Sequence, residues 1–167
     1  MPMTVYYTIV PSPIDDLLLT SEDDTLTRLH MSPHTGEHGV APDWVRADDD
    51  PVLASAREQL DAYFAAERTS FDLPLAPDGT EFQRQVWSEL VRIPYGETIS
   101  YGEMARRIAN PAASRAVGLA NGRNPIAVIV PCHRVIGADG SLTGFGGGLD
   151  RKRTLLALEQ GVQTLPV

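Results

Sequence analysis

Cys132 is the residue whose type and neighbours most clearly suggest chemistry. It is the single cysteine of the chain, and it follows the apolar run 126–130 and Pro131, whose ring restricts the backbone. His133 and Arg134 come next, and because both residue types are uncommon in protein interiors, we predict that the chain leaves the core here. A thiol at such a point, near groups that accept a proton or stabilise a thiolate, is typical of a nucleophile.

Cys132 also has a simpler interpretation, because a free cysteine is commonly a small buried hydrophobic residue with no chemical role. In an extended chain, moreover, adjacent side chains point to opposite faces. His133 would then reach the sulfur only through a turn or a bridging water. Glu159 on the last predicted helix could orient the imidazole as the third member of a proton relay. One thiol can form neither an internal disulfide nor a zinc site that needs two thiolates.

Charge is unevenly divided along the chain, which has a net charge of −8. Residues 1–79 carry 4 Lys and Arg against 15 Asp and Glu, a net of −11, and residues 80–167 carry 10 against 7, a net of +3. Since the local field governs binding to nucleic acid, only the second part is a candidate DNA-binding region. Its modest charge predicts weak, salt-sensitive non-specific affinity.

The break at Pro77-Asp78-Gly79 predicts a boundary between two domains, residues 1–76 and 77–167. The strands of the first domain are predicted at 4–10, 14–20, 25–31 and 71–75, with one helix at 51–67. The helices of the second are predicted from the Thr80 cap to Leu90, from the Ser100 cap to Ala109, at 112–120 and at 150–160. The break at Asn110-Pro111 between two short helices resembles a helix-turn-helix. The predicted fold is α+β (α/β), a small N-terminal β-sheet plus helix domain packed on a mostly helical C-terminal domain.

Four segments carry a resemblance to a known family. They are Pro131-Cys132-His133-Arg134-Val135, Ile93-Pro94-Tyr95-Gly96-Glu97-Thr98, Ala113-Ser114-Arg115-Ala116-Val117-Gly118 and Asn124-Pro125. Together they resemble the active-site signature, the segment before the helix-turn-helix, the recognition helix and the hinge of the O6-alkylguanine-DNA alkyltransferases, the methylated-DNA–protein-cysteine methyltransferases. The similarity covers residues 80–160 almost without gaps, whereas the first 75 residues match only in outline.

The resemblance implies a suicidal DNA repair protein that transfers the alkyl group of O6-alkylguanine, and of O4-alkylthymine, to Cys132 in one irreversible turnover. The implied partner is double-stranded DNA containing alkylated guanine, with a monomeric protein and no metal or organic cofactor. No apolar run of about 18 residues and no basic-then-apolar N-terminus is present, which predicts a cytoplasmic protein that does not enter the membrane.

The resemblance also implies roles for individual residues. The catalytic set would be Cys132, His133, Glu159 and Tyr101. Arg115 would fill the place of the flipped nucleotide, with Tyr101 rotating the DNA backbone and with small neighbours that allow close approach: Ala113, Ser114, Ala116 and Gly118. The base pocket would include Val135, Phe145, Gly146, Asn121 and Asn124, with the carbonyls of Cys132 and Val135 accepting from the guanine amino group.

The chain departs from the family pattern at two places. Phe145 stands where the family usually has tyrosine, which keeps the ring but removes a hydroxyl donor toward O6. His30, His34 and His38 recur at a spacing of four, but in or beside a loop rich in proline and glycine. We expect no metal site there, because such sites need further ligands and supporting hydrogen bonds.

Three other functions compete with alkyl transfer. A lesion-sensing, non-catalytic DNA-binding protein would keep the fold but would have no need of Cys132. A Cys-His hydrolase would leave the recognition-helix sequence without a role. A transcriptional regulator would read the major groove with several long polar side chains, whereas Arg115 lies among small residues.

Overall fold

The computed structural model describes residues 3–142, 145 and 147–161, without the side chain of Glu37. The chain divides into two compact units. The first comprises Met1–Asp78 with Pro125–Ala127, and the second comprises Gly79–Asn124 with Val128–Val167. A sheet with a helix in the first unit and predominantly helices in the second confirm the predicted α+β fold class. Throughout the described ranges, no helix has the length and apolar character needed to span a bilayer.

The first unit is built on a four-stranded sheet of order β3-β2-β1-β4. The strands are β1 Tyr6–Val10, β2 Leu17–Glu22, β3 Thr25–Met31 and β4 Val45–Arg46. The first three are antiparallel neighbours, and β4 runs parallel to β1. Helix α1, Pro51–Phe64, begins where the Asp50 carboxylate accepts from the amide of Leu53, a common N-terminal cap.

Two apolar segments, 71–75 and 126–130, do not form regular strands. The strand predicted at 71–75 is wrong, because only Leu75 forms a bridge, with Leu26, and the neighbouring Pro74 has no amide hydrogen to extend a ladder. The apolar run 126–130 is buried, but only its start pairs with β3, where the amide of Leu29 donates to the carbonyl of Pro125 at 2.8 Å. Val128 then adopts a φ of +71°, a conformation that β-branched residues rarely adopt, and this turns the chain.

The described residues of the second unit form four α-helices and one pair of short parallel strands. They are α2 Glu81–Leu90, β5 Ile99–Ser100, α3 Tyr101–Arg107, α4 Ser114–Gly122, β6 Val135–Ile136 and α5 Leu149–Glu159. The predicted capping box of Thr80 and Gln83 is confirmed, as is the Ser100 cap, whose hydroxyl accepts from the amide of Glu103. The indole of Trp87 on α2 donates to the carbonyl of Ala120 at 2.8 Å. This bond holds α4, the second helix of the helix-turn-helix, against α2.

The three histidines of the first unit lie together. The rings of His30 and His38 are 4.7 Å apart, and His34 Nε2 donates to the carbonyl of His30 at 3.1 Å. Within the described ranges, no three side chains of His, Cys, Asp or Glu are arranged to hold a metal ion. Burial, followed by the charges of His38 and Arg28, lowers the pKa of His30 from 6.5 to about 4.

The lowered pKa of His30 predicts an acid-sensitive first unit. Between about pH 6.5 and pH 4 the unfolded chain binds a proton at His30 that the folded chain does not, so stability falls as the pH falls through this range. We expect a contribution of about 1–2 kcal/mol after allowance for solvent screening. Urea titrations at pH 7 and pH 4.5 should show a smaller difference for His30→Gln than for the unsubstituted protein. An equal difference in the two proteins would contradict the prediction.

Candidate active site

Cys132 lies in a single 3₁₀ turn, Cys132–Arg134, which follows Pro131. The amide of Val135 donates to the carbonyl of Cys132 and closes the turn. A turn was one of the two predicted ways, beside a bridging water, for His133 to act on the sulfur, because a 3₁₀ turn does not send adjacent side chains to opposite faces as a strand does. Cys132 itself is 5% exposed.

The expectation that the chain leaves the core after Cys132 is wrong. His133 and Arg134 are 0% and 6% exposed. Both are held by the buried carboxylate of Glu159 on α5. His133 Nε2 lies 2.6 Å from Oε2, and the Arg134 guanidinium donates through Nε to Oε1 at 2.8 Å and through Nη2 to Oε2 at 3.0 Å. A paired and hydrogen-bonded charge can remain inside a protein where a single one cannot.

The Pro94-Tyr95-Gly96 turn completes the hydrogen bonding of this ion pair. Gly96 donates its amide to Glu159 Oε1 at 3.2 Å, and Arg134 Nη1 donates to the carbonyl of Ile93 at 2.6 Å. Gly96 has a φ of +80°, and a Cβ atom there would lie 3.2 Å from the carbonyl oxygen of Glu159. Glycine is therefore needed at this position both for its conformation and for its small size.

The hydrogen bond to Glu159 decides which nitrogen of His133 can act as a base. With Nε2 facing a carboxylate, the proton of a neutral imidazole lies on Nε2, and Nδ1 carries the lone pair. Nδ1 is buried and has no hydrogen-bond partner within the part of the chain that the structure describes. Burial lowers the pKa of His133, against the opposing effect of Glu159, so the imidazole is neutral at neutral pH and its Nδ1 carries no proton.

The environment of the Cys132 thiol combines opposing effects. Burial raises its pKa, whereas a hydrogen bond from the Asn124 side chain and the positive charge of Lys152 act to lower it. Sequence reasoning missed Lys152, which is 0% exposed and donates from Nζ to the carbonyl of Val135 at 2.6 Å. A signal was present, since Lys152, Leu155 and Glu159 share the buried side of α5 at helical spacing.

Two asparagines join α4 to the segment around the cysteine. Asn121 is 2% exposed, and its Nδ2 donates to the carbonyl of Cys132 at 3.2 Å. Asn124, directly after α4, donates from Nδ2 to the carbonyl of Val130 at 2.7 Å. The helix-turn-helix and the nucleophile are thus linked by short side-chain hydrogen bonds within one unit.

The residues predicted to contact DNA lie on and beside α4. Arg115 and Ala116 are exposed, and Ala113, Ser114 and Gly118 are half-buried. Tyr101 is the first residue of α3 and is also half-buried. A Cβ atom at Gly118 would lie 3.9 Å from the Tyr101 ring, an ordinary van der Waals distance, so this side of α4 faces that ring.

The remaining pocket residues are only partly described. Val135 is buried and begins β6, which pairs with β5 directly before Tyr101. Phe145 is half-buried. Gly146, which was predicted to line the base pocket, lies outside the described residues.

Comparison with known proteins decides the family. Residues 5–77 match the model described as the ribonuclease-like domain of 6-O-methylguanine DNA methyltransferase, and residues 81–161 match the model of its DNA-binding domain. A methylated-DNA–protein-cysteine methyltransferase of Methanosarcina acetivorans is 54% identical, and the alignment covers 93% of this chain and 98% of the relative. The chain belongs to the 6-O-methylguanine DNA methyltransferase family. The resemblance inferred from the four motifs is thereby confirmed.

Other members of the 6-O-methylguanine DNA methyltransferase family are similar along nearly their whole length. A methylated-DNA–protein-cysteine methyltransferase of Mycolicibacterium paratuberculosis is 57% identical over 93% of both chains. The crystal structure of the Mycobacterium tuberculosis O6-methylguanine methyltransferase has a TM-score of 0.83 at 51% identity and covers 98% of this chain and 97% of that one. A structure of the M. tuberculosis protein in complex with DNA has a TM-score of 0.85 at 52% identity over 93% of both chains.

Proposed function

We propose that this 6-O-methylguanine DNA methyltransferase family member repairs alkylated DNA by moving the alkyl group of O6-alkylguanine, and of O4-alkylthymine, onto Cys132. The observation that carries the proposal is the buried arrangement of Cys132 in a turn beside His133, whose ring is held by Glu159 at 2.6 Å. The matching DNA-binding domain and the relatives named methylated-DNA–protein-cysteine methyltransferase support it. We expect the protein to act as a monomer in the cytoplasm and without a cofactor.

The reaction begins with removal of the thiol proton. His133 Nδ1 accepts it through one water, and the resulting imidazolium is stabilised by the Glu159 carboxylate at Nε2. The Cys132 sulfur then forms a bond to the alkyl carbon while the bond from that carbon to O6 breaks, and the base leaves with the electron pair. A hydrogen-bond donor neutralises the charge that develops on the base, a role that we assign to the Tyr101 hydroxyl at N3.

The chemistry of the product explains why each protein molecule would react only once. It is an S-alkyl thioether, which has no electrophilic carbonyl for water to attack, unlike the acyl intermediate of a hydrolase. None of these reaction steps regenerates the Cys132 thiol. The protein is therefore consumed as it repairs, and the number of lesions removed equals the number of chains.

The DNA must present the base to a covered thiol. O6 of a stacked guanine is out of reach inside a duplex, so the nucleotide has to be flipped out. The exposed Arg115 on α4 is suited to occupy the space that the flipped nucleotide leaves. Its neighbours Ala113, Ala116 and Gly118 have small side chains, which allow the helix to enter a groove with one side chain inserted between the bases. A lesion-sensing protein without catalysis is the alternative, and it would leave the ordered Cys132 site unused.

Intact mass measurement tests the proposal. The protein is incubated with a duplex containing one O6-methylguanine and then weighed. We expect a gain of one methyl group per chain and no gain in Cys132→Ser, whose lesion binding should persist. Repeated turnover would support a hydrolase-like enzyme, and tight lesion binding without a mass gain would support the lesion sensor.

Phe145 offers a second test of the pocket. Phe145→Tyr adds a hydroxyl that can donate toward O6, so we expect single-turnover methyl transfer to become faster, by up to about tenfold for one added hydrogen bond, or to stay unchanged. Quenched-flow measurement of the methylated fraction gives the rate. Phe145→Leu, which removes the ring, is the matched comparison. A large loss of rate in Phe145→Tyr would mean that residue 145 does not face the leaving group.

A further inference from the structure

Asn121 occupies a defined orientation beside the nucleophile. Its side chain is 2% exposed, and it contacts the carbonyl of Cys132 at 3.2 Å. A carbonyl oxygen only accepts hydrogen bonds, so the atom of the amide that faces it must be Nδ2. Oδ1 consequently points away from that carbonyl. The hydrogen bond therefore fixes which end of the Asn121 amide is the oxygen and which is the nitrogen.

The carbonyl of Cys132 is already fully used by the protein. It accepts from the amide of Val135, which closes the turn, and from Asn121 Nδ2, and two bonds occupy both lone pairs of a carbonyl oxygen. Asn121 Oδ1, in contrast, is buried and has no donor among the residues that the structure describes. A buried acceptor without a donor is unfavourable, so this atom is an acceptor available to a ligand next to the nucleophile.

The two candidate substrates differ in what they can offer to such an acceptor. Alkylation at O6 removes the proton from N1 of guanine, which leaves the 2-amino group as the donor on its Watson–Crick edge. Alkylation at O4 removes the proton from N3 of thymine, and the thymine then has no donor on that edge. An acceptor inside the pocket therefore favours alkylguanine over alkylthymine, since sites built to hydrogen-bond a substrate group reject analogues that lack it.

We infer that Asn121 is a specificity-determining residue, whose Oδ1 accepts a hydrogen bond from the 2-amino group of the flipped guanine. The inference rests on the proposed function. It transfers to Asn121 a role that the family resemblance gave to the carbonyls of Cys132 and Val135, the second of which accepts from Lys152 Nζ at 2.6 Å. It also explains the hydrogen bond from Asn121 Nδ2 to the carbonyl of Cys132, because this bond holds Oδ1 at a fixed position relative to the sulfur.

Three substrates and two variants test the inference. Single-turnover methyl transfer to Cys132 is measured with duplexes containing O6-methylguanine, 6-methoxypurine, which is the same base without the amino group, or O4-methylthymine. The proteins are the unsubstituted chain, Asn121→Leu, which is close in size, and Asn121→Ala, which serves if leucine disturbs folding. Removal of the amino group also changes the intrinsic reactivity of the base, but it does so equally in every protein. The ratio of the O6-methylguanine rate to the 6-methoxypurine rate is therefore compared between each variant and the unsubstituted protein, and a difference in that ratio is due to Asn121.

We expect the ratio of O6-methylguanine to 6-methoxypurine rates to fall about tenfold in both variants, the size of one lost hydrogen bond. Transfer from O4-methylthymine should change much less, so that the preference for guanine narrows. A ratio that is the same in the variants and in the unsubstituted protein would overturn the inference and would mean that Oδ1 is satisfied in another way. Failure of the unsubstituted protein to methylate Cys132 with O6-methylguanine would instead reject the proposed function.

Discussion

Glu159→Gln is expected to lower the free energy of unfolding by about 3–5 kcal/mol and the rate of alkyl transfer by about 100-fold. Glu159 is the anion of a buried site that contains the Arg134 guanidinium, and glutamine would leave that positive charge buried without a compensating carboxylate. The imidazolium formed at His133 would lose the same stabilisation. Urea unfolding gives the first quantity, and the methylated fraction at successive times gives the second.

Glu103→Gln is the matched control for this prediction. Glu103 also pairs with arginine, at 2.8 Å from Arg106 and 3.3 Å from Arg107, but its side chain is 39% exposed. Ion pairs at the surface contribute about 1 kcal/mol or less, so we expect a small change in stability and none in the chemical step. Equal effects of the two substitutions would show that burial of Glu159 does not determine its importance.

Lys152→Met is expected to move the pH profile of alkyl transfer toward higher pH. Burial already raises the pKa of Cys132, and Lys152 opposes that rise, so loss of the ammonium raises the pKa further. Below that pKa the thiolate fraction, and with it the rate, increases tenfold per pH unit. We expect a rate about tenfold lower at any pH below both pKa values, and a rate that levels off about one pH unit higher. Single-turnover rates from pH 7 up to the pH at which each protein's rate levels off measure the shift.

Arg153→Met separates charge near the thiol from charge on the helix. Arg153 is the next residue of α5, but its side chain is 61% exposed and pairs with Asp150 at 3.0 Å. Its removal should leave the pH profile in place, because water screens its field at the sulfur. If the rate of Lys152→Met levels off at the same pH as that of the unsubstituted protein and is lower by the same factor on both sides of that pH, the lysine acts only through its bond to the Val135 carbonyl, and its proposed effect on the thiolate is wrong.

Local patterns in the sequence were sufficient to predict the elements of secondary structure that are determined by neighbouring residues. The Thr80 and Ser100 caps, the helix-turn-helix and strand 25–31 are all as predicted, because capping and periodicity act within a few residues. The strand predicted at 71–75 failed for a non-local reason, since a β-strand requires a partner along its length and the chain offers one only at Leu75.

What the sequence by itself determined is the family, the single thiol and the elements that carry it, because these reside in residue types and short spacings. Only the tertiary structure decided which side chains surround that thiol. His133 and Glu159 are 26 residues apart in sequence, and Lys152 is 17 from the carbonyl it contacts. Charged residues after Cys132 suggested an exit from the core, yet long-range pairing keeps them inside. The cost of burying a charge depends on its partners, and partners distant in sequence are brought together only by folding.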